Sequence, residues 1–230
     1  MNYQKKMKYS FTLGAYPTIE LCLKKPQWVR VIYLHPKISP ALKETIIAIA
    51  QKSSLEYIET SDFFRPLEKE NIFLAAKFTK YTSTLEKRNH LILHQPEVIG
   101  NLGTIFRSAL AFGIKDIALI DPSCDEFHPQ CIRASMGGIF SLRLEHFDSM
   151  QDYEQKFSRP IYAFMTGQHP YLQQQSFEEP CGLLFGSESS GLPLFFEECY
   201  HATKIKMSPH VDSLNLPLAV GIALHHLYEG

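Results

Sequence analysis

Three short segments bring together the residue types that could do chemistry. NLGTIFR, residues 101–107, sets Asn101, Gly103 and Arg107 along one predicted helix. GSESSG, residues 186–191, brackets Glu188 between Gly186 and Gly191, and IKMSPHVDSLN, residues 205–215, ends on Ser213 and Asn215. Arg107 stands among Ile105, Phe106, Leu110 and Ala111 as a lone charge. A guanidinium so placed is either paired with a carboxylate or open to an anion. The two glycines directly after the apolar run LLF let the backbone turn sharply and approach a ligand closely. A plain strand-to-helix turn fits the same pattern, and Glu188 occupies the place of the middle glycine of a GxGxxG dinucleotide loop. Ser213 and Asn215 are favoured N-cap residues and, read alone, are helix caps.

Each segment follows an apolar run, and in an open α/β sheet the strand exits build the ligand crevice. HLILH at residues 90–94 and DIALI at 116–120 are short apolar runs bounded by polar residues, as expected of buried parallel strands. Further strands are predicted at 140–144, 160–165, 181–186 and 202–207. Helices are predicted at 102–112, ending before Gly113, and at 129–136, 148–157 and 214–228. Strands alternating with helices imply a parallel sheet with right-handed crossovers. The last helix is apolar around nearly its whole circumference, so cover on both sides, by this chain or a second copy, is expected.

Ahead of these, helices at 18–24 and 40–51, strands at 28–34 and 55–58, a helix after Ser61 and Asp62, and an apolar stretch at 72–76 form a small α/β unit. Ser39 is placed to cap the second helix, with Pro40 at its first position. The polar stretch 79–89 reads as a linker. Residues 1–88 carry 15 Lys and Arg against 8 Asp and Glu, a charge of +7, and residues 89–230 carry 8 against 16, or −8. A basic module beside an acidic one is the footprint of a polyanion-binding domain next to a catalytic one, although solvated lysine faces give the same count. Five scattered cysteines without a CxxC point to free thiols and no zinc. The lysines of the N-terminus have no sustained apolar run behind them and no segment approaches a membrane span, so a cytoplasmic protein without a membrane partner is expected.

In order and internal spacing the three segments resemble the SpoU/TrmH family of RNA ribose methyltransferases, within the SPOUT superfamily. Asn101, Gly103 and Arg107 match the first motif, Gly186, Glu188 and Gly191 the second, and Ile205, Met207, Ser213, Leu214 and Asn215 the third. RASMGG, residues 133–138, is similar to the family's connecting helix and turn. Lys206 stands where the third motif usually has proline and Pro209 where it has glycine. The resemblance spans residues 90–230. It implies an α/β SPOUT fold with a parallel sheet and a C-terminal trefoil knot, preceded here by a small α/β substrate-binding domain at residues 1–80 and a linker at 81–89.

The resemblance also implies a homodimer, S-adenosylmethionine as cofactor, no metal, and methyl transfer to a ribose 2′-hydroxyl of structured RNA, ribosomal before transfer RNA. Gly186, Ile205, Met207, Leu214 and Asn215 would then enclose the cofactor. Asn101, Ser213 and Asn215 would orient the ribose and the cofactor's carboxylate, while Glu188 holds Arg107 or Asn101 in place or faces a second subunit. Because a guanidinium stays protonated, Arg107 suits stabilisation of a developing alkoxide better than proton abstraction. An RNA-binding relative without methyl transfer is the alternative, suggested by Lys206 and Pro209.

Overall fold

The computed structural model describes residues 3–229, with side chains for all of these except 68–70. The chain forms two compact units, one running up to Tyr81 and including Asp125–Ser141, the other made of Thr82–Cys124 and the residues from Leu142 onward.

The first unit is built on β1 (Tyr9–Leu13), α1 (Ala15–Lys24), β2 (Val29–Leu34), α2 (Pro40–Lys52), β3 (Tyr57–Glu59) and β4 (Leu74–Thr79). Its sheet runs β1-β4-β2-β3, with β4 antiparallel to both neighbours and β2 parallel to β3. The sequence reading lacks β1, and the reason is physical: YSFTL buries hydroxyls where a core strand usually buries methyls. Ser10 and Thr12 are fully buried. Their hydroxyls are satisfied by the Phe127 carbonyl at 2.5 Å, by Thr18 Oγ1 at 2.8 Å and by the Ala76 N–H at 2.9 Å, which removes the cost of burying them. Three other local expectations change. Ser39 occupies the N-cap of α2 without a side-chain hydrogen bond. The helix expected after Asp62 is a 3-10 segment, Asp62–Glu70, with Pro66 inside it, where an α-helical hydrogen bond is lost. RASMGG begins in α4 (Pro129–Ala134), which packs on β1 in this unit.

The second unit contains β5 (His90–His94), α3 (Ile99–Ala111), β6 (Asp116–Ile120), β7 (Arg143–Phe147), α5 (Met150–Lys156), β8 (Ile161–Phe164), β9 (Gly182–Phe185), α6 (Phe196–Cys199), β10 (His201–Thr203) and α7 (Leu216–Glu229). All six strands are parallel, in the order β10-β8-β9-β5-β6-β7. Leu91, Ile92 and Leu93 are all fully buried, so both faces of the sheet are covered, as a parallel sheet requires. Ile92, Ala118, Ile120, Phe147 and Leu184 share one cluster with Met150 and Tyr153 of α5 and with Phe157 just after it.

The strand expected at 140–144 begins later, because Gly138–Ser141 is a 3-10 turn. Arg143 sets the register. It lies opposite Asp116 and donates to it through Nε at 2.7 Å and an Nη at 2.5 Å, the Asp116 carboxylate being buried. The stretch 79–89 is fastened rather than free from Ser83 on. Ser83 exchanges hydrogen bonds with Leu144 at 2.8 and 2.9 Å, the Leu85 N–H reaches Glu145, and the Glu86 N–H reaches Asp116.

Candidate functional site

From β5 the chain moves outward to β6 and β7, then returns to lay β8 and β9 on the other side of β5. That reversal puts the topological switch at β5, and the crevice of such a sheet opens beyond the carboxyl ends of the strands there. Two of the three chemistry-bearing segments leave the sheet at that point: residues 95–98 run from β5 into α3, and residues 186–191 follow β9.

Glu188 joins them. Its Oε1 accepts a 3.0 Å hydrogen bond from Asn101 Nδ2 and a longer one, 3.4 Å, from the Val98 N–H, while Oε2 accepts from the Glu97 N–H at 3.0 Å. A carboxylate held at the N-terminal end of α3 meets the positive end of the helix dipole. Ser189 closes the clasp by donating to Glu97 Oε1 at 2.7 Å. Of the partners open to Glu188 in the sequence, the structure brings it to Asn101. Nothing in the sequence marks Glu97 or Ser189 for this contact: α3 starts at Ile99 and not at 102, so Glu97 enters the helix approach instead of a loop.

The loop after β9 depends on having no side chain at Gly186. A Cβ there would lie 2.1 Å from the Gly191 carbonyl carbon and 2.4 Å from the Leu192 nitrogen. The Gly191 N–H returns to the Ser187 carbonyl at 3.1 Å, and Gly191 itself takes φ +68°, a left-handed conformation suited to glycine. Beside this loop, Phe185 stacks on Phe164 of β8 with ring centroids 4.4 Å apart and planes at 8°. Nothing in the sequence marks Phe164 for this contact, which exists only because β8 lies beside β9. His94, at the end of β5, packs edge-on against Phe196, and burial holds its imidazole below the ordinary range.

The third segment differs from its expected outline. β10 ends at Thr203, and beyond a single bridge between Lys204 and Tyr171 the chain leaves the sheet. Lys204 donates to the Gly167 carbonyl at 2.8 Å, and both Lys204 and Lys206 place their ammonium groups over the Tyr171 ring, at 4.8 and 5.9 Å from its centre. Ile205, Met207 and Leu214 are half-buried, and Ser213 is exposed. Asn215 caps α7: its Oδ1 accepts from the Leu218 N–H at 3.1 Å. Of the two cap candidates the structure uses Asn215.

Arg107 lies in the third turn of α3, exposed, with no ion pair or hydrogen bond among the described residues. Six residues separate it from Asn101, about 9 Å along the helix axis. α3 packs against α7, with Phe112 meeting the rings of His225 and Tyr228. Only one side of α7 is buried, through Leu216, Pro217, Val220, Ala223 and Leu224, whereas Leu218 is 51% and Tyr228 68% exposed. Cover on both sides by the chain itself, one of the two ways expected, is therefore not what this fold provides.

Among the described residues no group of three or more His, Cys, Asp or Glu is gathered as a metal site, and no helix is long and apolar enough to cross a membrane. The family model for the SpoU rRNA methylases matches residues 88–225, which include all three segments. The chain belongs to the SpoU rRNA methylase family. Its relatives include an uncharacterized tRNA/rRNA methyltransferase of Synechocystis, 32% identical over 139 residues, covering 59% of this chain and 51% of that protein. A 23S rRNA (adenosine(1067)-2′-O)-methyltransferase of Streptomyces azureus is 32% identical over 148 residues, covering 59% and 52%. The chain thus spans about half the length of the curated relatives it matches. Among solved structures, the SpoU methyltransferase AviRb of Streptomyces viridochromogenes in complex with AdoMet superposes with a TM-score of 0.82 at 20% identity, over 96% of this chain and 90% of that one. At that identity the SpoU methyltransferase shares its fold with this chain.

Proposed function

We propose that this protein is an RNA ribose 2′-O-methyltransferase using S-adenosylmethionine, acting on structured RNA, ribosomal before transfer RNA, as a cytoplasmic homodimer. The observation that carries the reading is the clasp of Glu188 on Asn101 and the approach to α3, which draws the first and second motifs together at the switch point of the sheet. The relatives named as 2′-O-methyltransferases of ribosomal RNA support the same reaction class.

The strand-exit loops suit the cofactor. The Gly186 turn is drawn tight against the backbone of Gly191 and Leu192, which fixes the loop's path, and Ile205, Met207 and Leu214 are half-buried apolar groups that can wall an adenine. Gly186, Ile205, Met207, Leu214 and Asn215 would hold the cofactor there. When bound, S-adenosylmethionine supplies a methyl group already activated by its sulfonium charge.

The remaining work falls to alignment and to the charge that develops on the ribose oxygen. Asn101, oriented by Glu188, and Ser213 position the ribose, while Arg107 stabilises the alkoxide and grips a neighbouring phosphate with its planar set of donors. The exposed Leu218 and Tyr228 of α7 are the surface a second copy covers. A knotted path through the last loops belongs to the same reading, as do an RNA-binding role for residues 1–80 and a catalytic role for 90–230.

Calorimetric titration of the chain with S-adenosylmethionine, followed by mapping of 2′-O-methyl sites in ribosomal and transfer RNA from cells with and without the gene, tests it. Cofactor binding and the loss of a specific site on deletion are expected. No cofactor heat together with an unchanged methylation map would mark an RNA-binding relative without activity.

A further inference from the structure

On one face of the sheet in the first unit, four aromatic rings form a continuous row. Tyr9 meets Phe11 at 5.6 Å between centroids, Phe11 meets Phe63 at 5.7 Å, and Phe63 stacks on Tyr33 at 4.2 Å with planes 7° apart. Tyr9, Tyr33 and Phe63 are only half-buried, so the row lies open along much of its length. Two cations flank it. Lys77 Nζ sits 4.0 Å from the centre of the Tyr9 ring, and Arg30 Cζ sits 5.7 Å from it.

Arg30 reaches this face because the pairing of β2 with β4 shifts register between Val29 and Val31. A bulge of this kind re-aims the extra side chain, here to donate through Nε to Thr79 Oγ1 at 2.8 Å. Three other cations of the unit are paired: Lys43 with Glu59, Arg65 with Asp62 and Lys80 with Asp125. Arg30 and Lys77 have no carboxylate partner among the described residues. Their charge is left for a partner from outside.

We propose that this face is a binding site for an unpaired stretch of RNA, whose phosphates lie between Arg30 and Lys77 and whose bases stack along Tyr9, Phe63 and Tyr33. Uncompensated cations beside half-buried aromatic rings, whose remaining surface faces outward, match the two recurring chemical features of a single strand, a charged backbone and uncovered π-faces. A duplex offers the phosphates but hides the base faces, so the aromatic row would go unused. The excess of 15 Lys and Arg over 8 Asp and Glu in residues 1–88 points to the same class of partner. The inference rests on the reading of the protein as an RNA methyltransferase and locates where, away from the methyl-transfer residues, the substrate is gripped.

The test uses the full chain and two probes, a single-stranded oligoribonucleotide of about 12 nucleotides, within the range such surfaces hold, and a fully paired RNA hairpin with as many phosphates. Arg30→Gln with Lys77→Gln should weaken single-strand binding tenfold or more and flatten the dependence of log affinity on log salt by about 1.4, the share of two phosphate contacts on a single strand. Tyr9→Leu should weaken it severalfold without changing that slope, and the hairpin should lose less than threefold with either. Unchanged single-strand affinity, or an equal loss on the hairpin, would overturn the assignment. Should the double variant fail to fold, Arg30→Gln alone, on an exposed side chain, decides by the same criteria with half the slope change. Methyl incorporation into RNA by the parent chain is measured alongside. If the parent transfers methyl groups while the variants bind as it does, the assignment of this face alone fails. If it transfers none while the variants lose single-strand binding, the face stands and the enzymatic reading fails.

Discussion

Glu188 and Asn101 lie 87 residues apart in sequence and are joined by a 3.0 Å hydrogen bond. The bond ties the loop after β9 to the first turn of α3, and the other carboxylate oxygen takes the Glu97 N–H. One side chain thereby fixes the position of the two motifs that the proposed reaction needs together.

Replacing Glu188 by Ala removes both functions. Unfolding free energy should fall by about 1–2 kcal/mol, the scale of a lost helix cap, and methyl transfer by at least tenfold. Glu188→Gln keeps an oxygen for Asn101 but loses the charge facing the helix end, so an intermediate loss is expected. Denaturant unfolding and single-turnover methylation check both, and an alanine variant as stable and active as the parent would remove the clasp from the account.

Gly186→Ala sets a Cβ 2.1 Å from the Gly191 carbonyl carbon. Since that atom is backbone, the loop itself has to shift, at a cost of roughly 1–3 kcal/mol. Affinity for S-adenosylmethionine, measured by calorimetry, should drop more than tenfold while RNA affinity holds. Unchanged cofactor binding would place the cofactor elsewhere.

Much of this site was legible because parallel strands are short apolar runs: HLILH and DIALI become β5 and β6 with the expected limits. What the sequence hides are the long-range polar pairings. The partner of Glu188 is open in the sequence among Arg107, Asn101 and a second subunit, because nothing local to GSESSG distinguishes them. Only the packing of β9 beside β5 brings Asn101 close. β1 escapes for the related reason that Ser10 and Thr12 are acceptable core residues only once Phe127, Thr18 and Ala76 supply their partners. The end of β10 at Thr203 is likewise set by Lys204 turning to the loop at Gly167 and Tyr171. IKM is apolar enough to read as strand until that contact is known.

Acid should destabilise the second unit through His90. This imidazole is 1% exposed, bonded to Tyr153 Oη at 2.8 Å and the Glu86 carbonyl at 2.6 Å, and burial lowers its pKa to about 4. A depressed folded-state value means that the unfolded chain takes up the proton first. The contribution is therefore intact above pH 6.5, is lost progressively between 6.5 and about 4, and changes no further below that. The full loss is on the order of 3 kcal/mol. His94, also held low by burial, adds to the slope. Unfolding curves across this window should be flatter for His90→Asn than for the parent, and identical slopes would contradict the assignment.

The exposed side of α7 makes a prediction about assembly. Leu218 and Tyr228 are 51% and 68% exposed, and the proposed isologous dimer would cover this face. Light scattering should report a dimer at micromolar concentration and a shift toward monomer for Leu218→Glu. A monomer throughout that range would rule the dimer out.

The proposed role of Arg107 in methyl transfer to a ribose hydroxyl is read out by single-turnover reaction of the parent chain and Arg107→Lys with methyl-labelled S-adenosylmethionine and RNA, followed by digestion to nucleosides. The parent should deliver label to 2′-O-methylnucleosides. Lysine keeps the charge but loses the planar set of donors, so the rate should fall roughly a hundredfold or more, the scale of one lost oxyanion donor, with cofactor affinity and stability unchanged. Label found on a base, or an Arg107→Lys variant with near-normal turnover, would contradict the account.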